Sequence, residues 1–161
     1  KLYFGIVGDL AFFYDMNALG NRHKGNNLRI LLVNNGKGCE FTHYLNPGSI
    51  FKEDVDPYIA AAGHFGNQSR TLVRDYAKSL GMDYYTASTK EEFLASKDKF
   101  VSPEITRSCI FEVFTRDIDE NEALRLITST GMMGDMKQVL KKSVKNVVGD
   151  KGVGLMKKLL K

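Results

Sequence analysis

Two kinds of apolar pattern alternate along the chain. Leu2-Tyr3-Phe4-Gly5-Ile6-Val7 and Leu28-Arg29-Ile30-Leu31-Leu32-Val33 are short, nearly continuous apolar runs, the pattern of strands buried on both faces. Between them, Phe12, Phe13, Met16 and Leu19 recur at helical spacing over Ala11 to Leu19, so the opening segment predicts strand, helix, strand. Further on, Ser69 to Leu80 reads as a helix stopped by Gly81, and Asp83 to Thr86 as a short strand. Ser88 or Thr89 is placed to cap a helix over Glu91 to Ser96, and Ser108 to Phe114 reads as another strand. Asp119 to Ser129 follows as a helix whose first turn carries the acidic residues that the helix dipole favours. Residues 36–68 break the alternation. They are rich in Gly, Asn and His, with a short helix expected near Pro57 to Ala62, and connections of this length in a compact domain are usually functional.

Strands alternating with helices specify an α/β fold, a three-layer α/β/α arrangement around a mostly parallel sheet, with ligands at the carboxyl ends of the strands. The first apolar run starts at residue 2, with no covering element before it. The sheet is therefore expected to be incomplete at its N-terminus, and the chain to be a piece of a longer polypeptide. Past Gly131 the pattern changes. Met133, Met136, Leu140, Val144 and Val147 form one apolar stripe, and Leu155, Met156, Leu159 and Leu160 form another after the break at Gly149 to Gly154. This gives an α/β domain over 1–131 and a tail of two amphipathic helices over 132–161.

Composition sharpens the picture in three places. At 43% hydrophobic and 26% charged, the 161 residues suit one globular domain and exclude disorder. No apolar run is long enough to cross a bilayer, and a cytoplasmic location is expected. Cys39 and Cys109 stand without metal-ligand or disulfide spacing, so two reduced thiols are expected. The net charge of +4 is concentrated: residues 132–161 hold eight lysines against two aspartates, which leaves the remainder at −2. A basic tail without base-reading groups beside it is not the footprint of a nucleic-acid-binding domain. Basic amphipathic helices also bind anionic lipid, but a solvated appendage, or packing on further domains, is the expected role of this one.

The chemistry concentrates at two strand ends. The first strand runs out in Gly8-Asp9-Leu10 and the second in Asn34-Asn35-Gly36-Lys37-Gly38. In a parallel sheet these ends are neighbours, and a carboxylate beside a carboxamide can converge on one hard cation such as Mg²⁺, which takes oxygen ligands and leaves room for phosphate. The helix opening after Leu10 adds N–H groups and a favourable dipole for an anion. Mg²⁺-diphosphate is the chemistry these residues suit. Each half alone is a common turn sequence; together, at adjacent strand ends, they are far more specific.

These residues resemble the thiamine diphosphate-dependent enzymes, whose signature begins Gly-Asp-Gly and closes Asn-Asn, with an interval similar to the 26 residues from Asp9 to Asn35. Gly8-Asp9-Leu10 followed by Tyr14-Asp15-Met16-Asn17-Ala18-Leu19 looks like the menaquinone-pathway (MenD-like) synthases within that family, which join 2-oxoglutarate to isochorismate after decarboxylation. The similarity runs from about Phe4 to Ser129 and includes His64-Phe65, Gly81-Met82-Asp83-Tyr84 and Phe111-Glu112-Val113. The resemblance implies thiamine diphosphate with Mg²⁺ (or Mn²⁺) as cofactors. The Asp9 carboxylate, the Asn35 side-chain oxygen and the Lys37 main-chain carbonyl would be the metal ligands. Gly8, Asp9, Leu10, Asn35 and Lys37 would form the cofactor site, with Leu10 lying along the cofactor. Phe41 would face the substrate, as would Glu40, which stands where these synthases have an apolar residue and would alter the pocket for an anionic acceptor.

The resemblance also says what else is needed. The activating glutamate of the family lies on a separate pyrimidine-binding domain, supplied across a subunit interface, so no catalytic residue is expected within these 161 positions. The chain alone is expected to be inactive and to bind cofactor weakly. A 2-oxo acid, a small-molecule acceptor, the pyrimidine-binding domain and a homodimeric or homotetrameric assembly are the implied partners. Other readings are a different thiamine diphosphate-dependent 2-oxo acid decarboxylase or carboligase, and a non-catalytic, flavodoxin-like binding module. Of the histidines, His43 and His64 fall in the long irregular segment and are proton-transfer candidates, whereas His23 is expected to be solvated. Asp15 and Asn17 are expected to brace the metal loop, and Phe12, Phe13 and Tyr14 to be core and boundary residues.

Overall fold

The computed structural model describes residues 1–40, 42–58 and 68–129. The chain divides into two compact units, Lys1–Asp119 and Glu120–Lys161. The first unit is built on four strands, β1 (Tyr3–Gly8), β2 (Leu28–Asn34), β3 (Asp83–Ala87) and β4 (Cys109–Phe114), in the order β1-β2-β4-β3. All neighbouring pairs are parallel, with Gly8 opposite Val33 and Leu32 opposite Glu112. The helices are α1 (Asp9–Asp15), α2 (Leu72–Ser79), α3 (Lys90–Val101) and α4 (Asp117–Ser129). Among the described residues no helix is long and apolar enough to cross a membrane.

Side chains alternate across a strand, and that alternation sorts the core into two layers. Ile30, Leu32 and Ile110 face α1 and α2, packing with Phe12, Leu19, Val73, Ala77 and Met82. Leu31, Phe111 and Val113 face the other way, packing with Phe93 and Phe100 of α3. Phe111 is fully buried in an aromatic cluster, stacked on Phe93 at 5.2 Å and tilted against Phe100 at 5.5 Å. The three-layer α/β/α arrangement is thus the one expected. The boundary at 131/132 and the two tail helices lie outside the described residues.

The strand expectations hold within a residue or so at each end. Within this segment β1 stands at the edge of the described sheet and Ile6 is 77% exposed, whereas the sequence pattern expects cover on both of its faces. Among the described residues α1 covers one face of β1, and on the other the Phe4 ring meets Phe100 in a T-shaped contact at 5.8 Å. The helices shift more. The first ends at Asp15 and tightens into a 3₁₀ turn over Met16–Gly20, where the Tyr76 hydroxyl donates to the Met16 carbonyl at 2.7 Å. Leu72–Ser79 is shorter than expected because Ser69 acts ahead of it, its hydroxyl accepting from Leu72 N at 3.2 Å. α3 starts on the Thr89 cap but runs on to Val101, because burying Phe100 against the sheet rewards the extra turns; Ser102, before Pro103, is extended. In the long connection the 3₁₀ turns fall at Pro47–Tyr58, ahead of the expected Pro57 to Ala62, with residues 59–67 outside the described ones.

A buried charge went unexpected at the amino end of β2. Arg29 has no exposed surface, and its guanidinium donates to the carbonyls of Arg107 and Ile105 at 2.7 Å each. It closes the end of the sheet opposite the candidate site by binding the loop that leads into β4, although its Nε makes no hydrogen bond.

Candidate cation and diphosphate site

The carboxyl ends of β1 and β2 meet as the sequence predicts, because the two strands pair directly and in register. Asp9 begins α1 and is only 2% exposed. Its Oδ1 accepts from Leu10 N at 2.8 Å, and its Oδ2 accepts from Gly36 N at 2.6 Å, so the carboxylate ties the first strand end to the second. Gly36 sits at φ +87, a left-handed conformation that glycine adopts without strain, and this turns the chain back toward Asp9.

Around that turn each amide has a separate task. Asn34 is fully buried: its Nδ2 donates to Glu112 at 2.7 Å and its Oδ1 accepts from Gly36 N at 3.1 Å. The Asn34 carbonyl accepts from Thr115 N at 2.9 Å and from Gln68 Nε2 at 3.1 Å. Asn35 is partly exposed, with Oδ1 accepting from Lys37 N at 3.0 Å and Nδ2 donating to Cys39 Sγ at 3.1 Å. The Lys37 ammonium pairs with Asp117 at 3.0 Å, so this side chain is engaged with the start of α4, and the main-chain carbonyl is what Lys37 would offer a cation.

The donor set fits a hard cation. Asp9, Asn35 and the Lys37 carbonyl offer only oxygen, the chemistry that Mg²⁺ selects. Each side-chain oxygen that accepts one N–H here retains a second lone pair. Among the described residues there is no group of three or more His, Cys, Asp or Glu side chains suited to a metal, so a cation at this turn would rely on amide and carbonyl oxygens beside the single carboxylate. A Cβ placed on Gly8 would meet nothing within 4 Å; packing within the described residues therefore does not demand glycine there.

The other sequence candidates fare differently. Leu10 is partly exposed beside Asp9, Glu40 is exposed after the turn, and Phe41 and His64 lie outside the described residues. His43 accepts from Leu45 N at 3.1 Å, and His23 accepts from Arg22 at the surface. Asp15 and Asn17 do not brace the metal loop: they lie at and beyond the far end of α1 from Asp9, which separates them from the turn by the length of the helix. Cys109 is buried in the core, and its desolvation pushes the thiol up to about 11.

Sequence reasoning missed Glu112 and Tyr84 as members of the site's support. The Tyr84 hydroxyl donates to the second oxygen of Glu112 at 2.7 Å. Burial raises the Glu112 carboxyl above its ordinary range, although the hydrogen bonds from Asn34 and Tyr84 pull the other way. Burial also raises the Tyr84 hydroxyl, with the adjoining carboxylate adding to it. The available signal was a charged residue at an inward position of an otherwise apolar strand, Ile110-Phe111-Glu112-Val113. A separate cavity of about 470 Å³ lies at the ends of β3 and β4, where Arg70 stacks on Phe114 at 3.7 Å and donates to Ser88 at 2.6 Å. It includes none of the sequence candidates.

No family model matches the chain. Curated relatives do. The 2-succinyl-5-enolpyruvyl-6-hydroxy-3-cyclohexene-1-carboxylate synthase of Bacteroides fragilis is 38% identical over 128 residues, which cover 79% of this chain and 21% of the relative. The synthase of the same name from Phocaeicola vulgatus is 39% identical over 126 residues, 78% of this chain and 21% of the relative. That of Bacteroides thetaiotaomicron is 36% identical over 128 residues, with 79% and 21% covered. The chain spans about a fifth of the length of these relatives. The parallel three-layer fold, the paired strand ends and these identities agree: the chain is a homologue of one segment, about a fifth of the length, of the 2-succinyl-5-enolpyruvyl-6-hydroxy-3-cyclohexene-1-carboxylate synthases.

Proposed function

We propose that this chain supplies the diphosphate- and Mg²⁺-binding part of a synthase that decarboxylates 2-oxoglutarate and joins the remaining fragment to isochorismate. The observation that carries the reading is the grip of Asp9 on Gly36 N, which brings a buried carboxylate against the Asn34–Lys37 turn. Bound thiamine diphosphate would supply the decarboxylation and carbon–carbon bond-forming chemistry. The residues of this chain would hold it: Asp9, the Asn35 oxygen and the Lys37 carbonyl on the cation, with Gly8 and Leu10 beside the cofactor. Mn²⁺ would substitute, since it accepts the same oxygen donors. Glu40 and Phe41 would face the substrates. The activating glutamate and much of the substrate contact would come from a pyrimidine-binding domain in a homodimer or homotetramer, so that the segment alone is inactive.

Calorimetric titration of thiamine diphosphate into the intact protein, with and without Mg²⁺, tests this directly. Wild type should bind only with the cation, and Asp9→Ala and Asn35→Ala should abolish binding while thermal melts show a folded protein. Equal binding by wild type and both variants, or binding indifferent to Mg²⁺, would overturn the assignment.

A further inference from the structure

Glu112 is a fully buried carboxylate with no place in the ligand set proposed above. Its two oxygens are used separately: Asn34 Nδ2 donates to one and the Tyr84 hydroxyl to the other, each at 2.7 Å. A carboxylate only accepts. It therefore dictates which way the Asn34 amide points, with nitrogen toward Glu112 and oxygen toward the turn. That oxygen, at 3.1 Å, and Asp9 Oδ2, at 2.6 Å, share the single Gly36 N–H. Tyr84 on β3, Glu112 on β4, Asn34 on β2 and Asp9 after β1 thus form one hydrogen-bonded line across all four strands. Reversing the Asn34 amide would set an NH₂ group against the Gly36 N–H and push the turn away from Asp9.

We propose that Glu112 is a positioning residue for the cation site: it orients the Asn34 amide, and through it holds the Asn35–Lys37 turn against Asp9. This rests on the reading of Asp9, Asn35 and Lys37 as cation ligands. Partners behind a ligand set commonly matter about 10- to 100-fold in metal affinity, and this one acts through geometry while touching neither cation nor cofactor.

The distinguishing feature is polarity. In Glu112→Gln the side-chain oxygen still accepts from Asn34, and the Tyr84 hydroxyl turns to accept from the new NH₂. In Glu112→Ala nothing orients the amide. In Asn34→Asp two carboxylates face each other, whereas Asn34→Asp combined with Glu112→Gln restores a donor–acceptor pair with the direction reversed and an oxygen still on Gly36 N–H. The experiment titrates Mg²⁺ into the intact protein in the presence of excess thiamine diphosphate and measures amide hydrogen exchange of the 34–39 segment without ligand, using α3 as the internal reference. Glu112→Ala and Asn34→Asp should each weaken Mg²⁺ binding by about 10- to 100-fold and speed exchange at the turn before α3. Glu112→Gln and the double variant should bind Mg²⁺ close to wild type, because each keeps a donor–acceptor pair at these positions. Should Glu112→Ala fail to fold, the single and double Asn34 variants decide alone. Wild-type binding with no effect of Glu112→Ala, or no rescue by the double variant, overturns the positioning role only. Failure of wild type itself to bind Mg²⁺ with thiamine diphosphate overturns the cation-site reading beneath it.

Discussion

Tyr84→Phe removes one hydroxyl and almost no volume, so its effect isolates a single bond. The bond is 2.7 Å long and ends on a carboxylate with no solvent exposure. Hydrogen bonds to charged groups contribute about 1.5–3 kcal/mol net, and a buried acceptor left without its donor bears its full desolvation penalty. Against this stands only the relief of desolvating a phenol that is itself half-buried, so a loss of about 2 kcal/mol is expected. With a urea slope of about 1–3 kcal/mol per molar, the unfolding midpoint should fall by roughly 1 M at unchanged slope. Tyr14→Phe is the matched control, because Tyr14 is 68% exposed, and should shift stability by less than about 0.5 kcal/mol. The assay is urea unfolding followed by circular dichroism. A Tyr84→Phe loss no larger than that of Tyr14→Phe would refute the reasoning, since the carboxylate would then be satisfied without the hydroxyl.

Glu112 also gives a pH dependence. Its carboxyl is raised above 4.5 in the fold by burial, so its contribution to stability is complete below that value and is lost as pH rises through the folded pKa. Wild type should therefore lose stability relative to Glu112→Gln as pH climbs above about 4.5, measured by parallel urea titrations; a constant difference across that range would count against the shift. Phe111→Ala should cost about 3–5 kcal/mol, because the ring is fully buried between Phe93 and Phe100, and a thermal melt reads it. Gly81 stops α2 at φ +66, so Gly81→Ala should destabilise by about 1 kcal/mol although a methyl group would meet nothing. Cys109, buried with its thiol pushed to about 11, should react with iodoacetamide at pH 8 only as fast as the protein unfolds, which mass spectrometry over a urea series will resolve.

How much of this was legible in the sequence depended on the range of the interaction. Strands β2 and β4 could be read almost to the residue because both faces are covered, and covered strands have continuous apolar runs. β1 carries the same kind of run, and within this segment it stands at the edge of the described sheet. Helix ends moved because contacts distant in sequence decide them: Tyr76 claims the Met16 carbonyl across 60 residues, and Phe100 draws α3 onward toward Phe111. The Asp9 and Gly36 pairing was foreseeable, since it needs only two parallel neighbours with polar ends. Glu112 was not, because its partners come from two other strands, 28 and 78 residues away in sequence.

The two asparagines show how one dipeptide divides structure from chemistry. Alternation along β2 sends Asn34 inward, onto the face that holds Leu32 and Glu112, and turns Asn35 toward the partly exposed side. Asn34 therefore spends all its polar atoms on the fold: Glu112 below, Gly36 ahead, Thr115 and Gln68 on its carbonyl. Fully buried, this amide serves the fold, and its value lies in rigidity. Asn35, one residue on, is partly exposed and bonds to Lys37 and Cys39 of its own turn. The adjacent pair thus suits a site that needs one amide fixed in the protein and another presented at its surface. Exchanging the roles would require a one-residue register slip of β2, which would also turn Ile30 and Leu32 out of the core. Register, set by burial of the apolar residues, is what buries the Asn34 amide and leaves the Asn35 amide partly exposed.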